Sequence, residues 1–197
     1  MATDRVLLLL LAGVLGVLAA TFACGCAGGG VQPLIDDLSS DDAATQKAAA
    51  EQLADIGTPA VEPLIGVFSS GDQSASLWAA VALCEIGDES IAPLIDRLGA
   101  PGTEERMWAA NTLACIGRPA ILPLISEVET GTAASKESAQ VALIKIGADA
   151  VPIIEQRMAV VDAEQKAVYQ SLLQSIYLTE QLRAGNAIGN TTGMTSG

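Results

Sequence analysis

The hydrophobic positions of this chain repeat with a period of thirty residues. The clearest marker is an Ile-Gly dipeptide, which occurs at Ile56-Gly57, Ile86-Gly87, Ile116-Gly117 and Ile146-Gly147. Alanine lies eight residues before each glycine, leucine four before it and isoleucine one before it. Spacings of four and three residues place these side chains on one face of a helix. The pattern therefore predicts a buried helix face in every period and a helix end at each glycine, a residue that readily adopts the left-handed conformation.

A second helix is predicted in every period. Its marker is Pro-Leu-Ile, with prolines at Pro33, Pro63, Pro93 and Pro123, and at Pro152 in the last period, where the motif is Pro-Ile-Ile and comes one place early. Proline is tolerated in a first helical turn, so this helix is expected to begin near the proline. Stacked helix pairs form an all-α superhelix, and the chain has room for about four and a half of them.

The repeat pattern also resembles a known family. The segments AAVALCEIGDESIAPLIDRL and AANTLACIGRPAILPLISEV are similar to HEAT repeats, in the short bacterial form first named from phycobilisome lyases. The resemblance covers about residues 31–158. It implies an α-solenoid of HEAT-like helix pairs that serves mainly as a protein-binding surface, with enzymes in the minority. The function expected from it is a non-catalytic scaffold that binds another protein or itself. The alternatives are a bilin-lyase-like or other enzyme and a structural spacer without a specific partner.

The N-terminus predicts export. Residues 6–23 carry no charge, and the sequence ACGCAGGG follows with small residues and two cysteines. This arrangement resembles a bacterial lipoprotein signal, which implies lipidation of Cys24 or Cys26 and a membrane anchor at the cell envelope. An uncleaved single-pass anchor and a plain secretory signal are the alternatives.

Five segments follow from these patterns. They are a signal peptide or lipoprotein anchor at 1–26, a Gly-rich linker at 27–30, the HEAT-like solenoid at 31–160, a capping helix at 161–183 and a disordered tail at 184–197. The capping helix is predicted from a stripe of Val161, Val168, Leu172, Ile176 and Leu182.

Composition narrows the chemistry. The chain has 23 acidic and 10 basic residues, a formal net charge of −13 and no histidine. It therefore lacks the residues for Ser-His-Asp or Cys-His catalysis, and its negative charge disfavours nucleic acid. We expect no catalytic residues, no cofactor and no metal site. Asp36, Asp37, Asp41 and Asp42 lack the glycine and terminal glutamate of an EF-hand loop, and they are interpreted as a solvated turn.

Two columns of the repeat are irregular. The position ten residues before each glycine points away from the core and holds Lys47, Leu77, Met107 and Glu137, and the next position holds Ala48, Trp78, Trp108 and Ser138. Val81 lies one turn after Leu77. One interpretation is that the tryptophans pack between successive first helices. The other is a patch for a partner, self-association or a membrane, centred on Leu77, Trp78, Met107 and Trp108.

Two further sets of residues are candidates. On the inner side, a variable column of Val67, Arg97, Glu127 and Arg157 is the expected contact row. Cys84 and Cys115 lie near the ends of neighbouring first helices, where they form either a disulfide or two small buried thiols.

Overall fold

The structure is a computed structural model that describes residues 30–191, with side chains described for 30–184. This part of the chain is helical. The helices are α1 Val31–Asp37, α2 Ala43–Ile56, α3 Thr58–Val67, α4 Gln73–Ile86, α5 Asp88–Arg97, α6 Thr103–Ile116, α7 Ile121–Thr130, α8 Ala133–Ile146, α9 Val151–Met158 and α10 Ala163–Thr191. Short 3-10 turns at Arg118–Ala120 and Gly147–Ala150 precede α7 and α9.

The helices pair and stack as an α-solenoid. Each 14-residue first helix packs on the next, in the order α2, α4, α6 and α8, while the second helices α3, α5, α7 and α9 form the other layer. The helix α1 packs on α2 and α3 and so begins the stack as a lone second helix. The predicted all-α superhelix of about four and a half helix pairs is confirmed.

Glycine ends each first helix, as the thirty-residue period predicts. Gly57, Gly87, Gly117 and Gly147 have φ angles of 72°, 75°, 79° and 76°. In each case the glycine N–H donates to the carbonyl of the leucine four residues earlier, which satisfies an otherwise unpaired helix end. A residue with a Cβ would be strained at these φ angles, which is why the period carries glycine.

The second helices begin earlier than the sequence indicates. The helices α3 and α5 start directly after their glycines, so that Pro63 and Pro93 lie inside them rather than in the first turn. A tight turn makes this early start feasible, because the Ala60 N–H donates to the Gly57 carbonyl at 2.8 Å. The 3-10 turns before α7 and α9 delay these two helices, so that Pro123 and Pro152 fall in the first turn.

The alanine and leucine columns form the core between the two layers. Ala49, Ala79, Ala109 and Ala139, together with Leu53, Leu83, Leu113 and Leu143, are at most 2% exposed. Small side chains at these points let neighbouring helices approach closely. The isoleucines before the glycines are only half-buried or, at Ile56, exposed, because they lie where the chain turns out of the first helix.

The last helix differs in two ways from the sequence prediction. It runs Ala163–Thr191, whereas the sequence places it at 161–183 with a disordered tail from 184. Its buried stripe is Tyr169, Leu172 and Ile176, whereas Val168 and Leu182 are exposed. Tyr169 faces inward because its hydroxyl finds a partner there, as described below. The predicted anchor at 1–26, most of the linker at 27–30 and residues 192–197 lie outside the described residues. Within 30–191 no helix has both the length and the apolar character needed to cross a membrane.

Candidate protein-binding surface

The first helices of the middle repeats expose apolar side chains on the side away from the core. Leu77 on α4 is 52% exposed and Met107 on α6 is 49% exposed. Val81 on α4 is half-buried beside them, and Val141 on α8 is exposed. These four residues are called the Leu77–Met107 surface below. Because the same column holds Lys47 and Glu137 in the outer repeats, its large apolar side chains lie in the two middle repeats, and α8 adds Val141 from another column.

A shallow groove extends this surface between α6 and α8. It has a volume of about 230 Å³, and Met107, Ala110 and Val141 form its apolar lining. Arg106 and Glu137 supply charges of opposite sign at its border. An apolar floor with a charged rim is the usual composition of a protein interface.

Trp78 is held in place by a hydrogen-bonded glutamine. Its Nε1–H donates to Oε1 of Gln46 at 2.9 Å. The Nε2 group of Gln46, a buried residue, donates in turn to the Leu38 carbonyl at 3.0 Å and to Ser74 Oγ at 2.9 Å. Trp78 therefore connects α4 to α2, and its half-buried ring packs between repeats.

Trp108, one repeat later, is held in place by an aromatic neighbour. Its ring stacks on Phe68, with ring centroids 6.1 Å apart and an interplanar angle of 20°. Phe68 is buried at the end of α3. Trp78 therefore contacts the preceding first helix, whereas Trp108 contacts a second helix, and Leu77 and Met107 are more exposed than either tryptophan.

Two residues of the predicted inner row, Arg97 and Arg157, form ion pairs within the chain. Arg97 lies 3.4 Å from Glu62 on α3 and 3.3 Å from Glu105 on α6. Of the other two residues in this predicted column, Glu127 is half-buried and Val67 is buried. Arg97 and Arg157 therefore connect neighbouring helices through their carboxylate partners, whereas Glu127 of the same row forms no ion pair among the described residues.

Arg157 belongs to a cluster that the sequence did not reveal. Its Nε and a terminal guanidinium nitrogen donate to the two oxygens of Glu129 at 2.7 and 2.6 Å. The hydroxyl of buried Tyr169 donates to the same carboxylate at 2.7 Å. These three residues, the Glu129 cluster, connect α7, α9 and α10. The partners are 28 and 40 residues from Glu129, so no repeat spacing links them.

The hydrogen bonds of this cluster set its electrostatics. Donation from Arg157 lowers the pKa of the Glu129 carboxyl below its ordinary value, against a smaller opposing effect of burial. Burial first, and then the hydrogen bond to Glu129, raises the pKa of the Tyr169 hydroxyl. Both shifts favour the observed state at neutral pH, a carboxylate that accepts from a protonated phenol.

Cys84 and Cys115 form a disulfide in the structure, with their Cα atoms 5.9 Å apart. The bond connects the last turn of α4 to the last turn of α6. Cys84 is half-buried and Cys115 is exposed, unlike the buried thiols of the alternative interpretation. The disulfide therefore joins α4 and α6 near their C-terminal ends, whereas Leu77 and Met107 lie nearer the N-terminal ends of these helices.

The aspartates near α2 are arranged as a helix cap. Asp42 accepts from the N–H groups of Ala44 and Thr45, at 3.3 and 3.1 Å. The hydrogen bond from the Thr45 hydroxyl is the largest of the effects that lower the pKa of Asp42. Among the described residues, no three histidine, cysteine, aspartate or glutamate side chains converge as metal ligands would.

The family described as HEAT repeats matches residues 31–114. This match covers less than half of the chain, and it shows that residues 31–114 are similar to HEAT repeats. No curated protein matches it. Among solved structures, it is similar to a designed armadillo repeat protein in complex with the peptide (KR)4, at 16% identity and a TM-score of 0.30, over 74% of this chain and 81% of that chain. So low a TM-score makes the designed protein's peptide uninformative about this one. The interpretation of the Leu77–Met107 surface therefore depends on the residues of this chain.

Proposed function

We propose that this chain is a non-catalytic protein-binding scaffold of the cell envelope and that another protein binds its Leu77–Met107 surface. The observation that carries the proposal is the exposure of Leu77 and Met107, at 52% and 49%, on adjacent helices of a strongly acidic protein. Large apolar side chains that lie side by side on a solvent-exposed face are a common sign of an interaction site. HEAT-like repeats commonly bind proteins, which favours the same conclusion.

The surroundings of this surface support a rigid binding platform. The Trp78–Gln46 hydrogen bond and the Trp108–Phe68 stack fix the flanks of Leu77 and Met107. The disulfide between Cys84 and Cys115 limits the separation of α4 and α6. A surface that is already ordered loses less conformational entropy when a partner binds, so a few apolar anchors suffice for a specific complex.

The partner is expected to offer apolar side chains to Leu77 and Met107 and polar groups to the rim at Arg106 and Glu137. A charge of −13 on this chain disfavours nucleic acid as that partner. We place the scaffold outside the cytoplasm, tethered to the membrane as a lipoprotein through Cys24 or Cys26. The disulfide supports this location, because such bonds persist mainly in oxidising compartments.

The double substitution of Leu77→Lys with Met107→Lys is expected to abolish capture of the partner. Each lysine replaces an apolar anchor by a hydrated charge, and truncation of such anchors typically costs about 2 kcal/mol or more each. The loss in affinity should therefore be roughly a thousandfold for the pair. The measurement is crosslinking in intact cells, followed by affinity purification from the membrane fraction and mass spectrometry.

A matched control is Val160→Lys, because Val160 is exposed after the end of α9, outside the proposed surface. It should retain the partner at the level of the original chain. Recovery of the same partner by the double variant, with its helical content and unfolding midpoint unchanged, would contradict the assignment of this surface. Absence of any enriched partner in the original chain would instead favour a spacer without a specific partner.

The lipoprotein anchor has its own test. Replacing one of Cys24 and Cys26 by alanine should abolish incorporation of labelled palmitate, whereas replacing the other should leave it unchanged, because only one cysteine becomes the acylated N-terminus. Export with no label in the original chain would contradict lipidation and favour a single-pass anchor or secretion.

A further inference from the structure

The outward face of α10 is apolar, and none of the described residues covers it. Tyr177 is 49% exposed, Leu178 is 57% exposed and Leu173 is half-buried. A groove of about 470 Å³ runs along it, lined by Gln170, Leu173, Gln174, Tyr177, Leu178 and Gln181. These six residues are called the α10 face. They lie on the helix that ends the described stack, far along the chain from the Leu77–Met107 surface.

This face corresponds to a surface that is covered in the earlier repeats. The helix α10 packs on α8 as each first helix packs on the one before it. If Leu172 and Ile176, both buried, align with the alanine and leucine of the core columns, Tyr177 occupies the column of Cys84. In α4, Cys84 forms a disulfide with Cys115 of α6, which is the next first helix. The α10 face is thus a stacking surface whose covering helix is missing from the described part.

A face without charges permits a second copy of this chain as the cover. Two copies each carry −13 and repel one another, so a contact between them requires a surface free of acidic residues. Residues 167–179 contain no acidic or basic side chain. On the Leu77–Met107 surface, by contrast, Glu137 borders the groove.

The charges that flank this neutral stretch are complementary in an antiparallel pair. Lys166 lies seven residues before Leu173 and Glu180 lies seven residues after it. Seven residues are two helical turns, so all three lie along one stripe, about 10 Å apart. A two-fold axis at Leu173 therefore brings Lys166 of one copy to Glu180 of the other, twice. Glu180 accepts from Arg183 at 2.8 Å and lies against Gly147 at the end of α8, but its side chain is 39% exposed and a carboxylate retains sites for another donor.

We propose that the α10 face binds a second copy of this chain, with the two α10 helices antiparallel about a two-fold axis near Leu173. Tyr177 and Leu173 supply the apolar contact, the glutamines hydrogen-bond across it, and the Lys166–Glu180 pairs select the antiparallel direction. A contact of one helix per copy is smaller than a standard interface of about 1,600 Å², so the dimer is weak and depends on concentration.

Sedimentation of the full chain in mild detergent tests the proposal. The original chain should approach the mass of two copies near 100 µM, an order-of-magnitude concentration for a weak contact. Tyr177→Glu should reduce the mass to that of one copy, because it places a negative charge on each side of the contact and the two charges repel. The control Val160→Glu should leave the dimer unchanged. Lys166→Glu should weaken the dimer, and its combination with Glu180→Lys should restore it.

A second measurement does not depend on the stability of these variants. Gln174→Cys lies beside the proposed two-fold axis and should yield a disulfide-linked dimer above the level of the original chain, whereas Gln156→Cys on exposed α9 should not. A single-copy mass throughout, or a dimer that survives Tyr177→Glu, would overturn the proposal. So would a dimer lost on Leu77→Lys instead, which would assign self-association to the other surface.

Discussion

Replacing both Cys84 and Cys115 by serine is expected to lower the free energy of unfolding by about 3–4 kcal/mol, from the entropy of closing a loop of this length in the unfolded chain. The two cysteines are 31 residues apart, one full repeat. For a chain of this size, the loss corresponds to a decrease of roughly 6–16 °C in the unfolding temperature. Urea unfolding followed by circular dichroism measures it.

The position of the disulfide adds to this effect. In a solenoid each repeat contacts mainly its neighbours, so stability depends on the interface between adjacent repeats. The bond joins α4 to α6 across one such interface. Without it, the two helices that carry Leu77 and Met107 separate more readily, and the affinity of the proposed partner should decrease along with the stability.

Reduction supplies the control for the double variant. A reductant should shift the unfolding midpoint of the original chain to that of the variant and leave the variant unchanged, although both retain Cys24 and Cys26. Equal midpoints before and after reduction, or labelling of both repeat cysteines in denatured, unreduced protein, would contradict the bond.

The fold was predictable from the sequence because each repeat encodes it locally. Glycine at Gly57 and its equivalents identifies the helix end, because positive φ angles near 75° strongly favour glycine. The alanine and leucine columns identify the buried face, because helical periodicity converts spacing into direction. The start of α3 escaped prediction because the prediction followed Pro63, whereas Pro59 is the proline that lies in the first turn of α3. The hydrogen bond from Ala60 to Gly57 accompanies this early start.

The site was less predictable because its contacts are not local. The irregular columns revealed Leu77 and Met107, since a break in a regular repeat requires an explanation. Sequence spacing left the role of the tryptophans open, because the partner of Trp78 is 32 residues away at Gln46. The same limit applies to Arg157, a member of the predicted contact row, because its pairing with Glu129 could not be read from the sequence.

A signal for the Glu129 cluster is visible in retrospect at Tyr169. The predicted stripe of the last helix passes through Val168, whereas the structure buries Tyr169 instead. A buried phenol requires an acceptor, and an acidic residue at the end of a preceding second helix is a suitable one. Such pairings depend on how helices meet in space, which periodicity alone does not specify.

Glu129→Gln is expected to destabilise the chain at pH 7 by about 1–3 kcal/mol, the usual cost of losing hydrogen bonds to a charged group. The carboxylate is 12% exposed and accepts from both Arg157 and Tyr169. The side chain of Arg157 is 46% exposed and can be rehydrated, so the loss should lie toward the lower end of that range. Glu127→Gln on the same helix is the matched control and should have little effect.

The pH dependence of this difference distinguishes loss of the carboxylate from a change in packing. The pKa of Glu129 is lower in the folded chain than its ordinary value of 4.5. The stabilisation is therefore fully present above about pH 4.5 and is lost as the pH falls through the folded pKa. Urea midpoints of the original chain and of Glu129→Gln should differ at pH 7 and converge as the pH falls below 4.5, because a protonated glutamate resembles glutamine. A difference that stays constant over this range would mean that the variant acts through packing, and that the charge of Glu129 contributes little to holding α9 and α10 on α7.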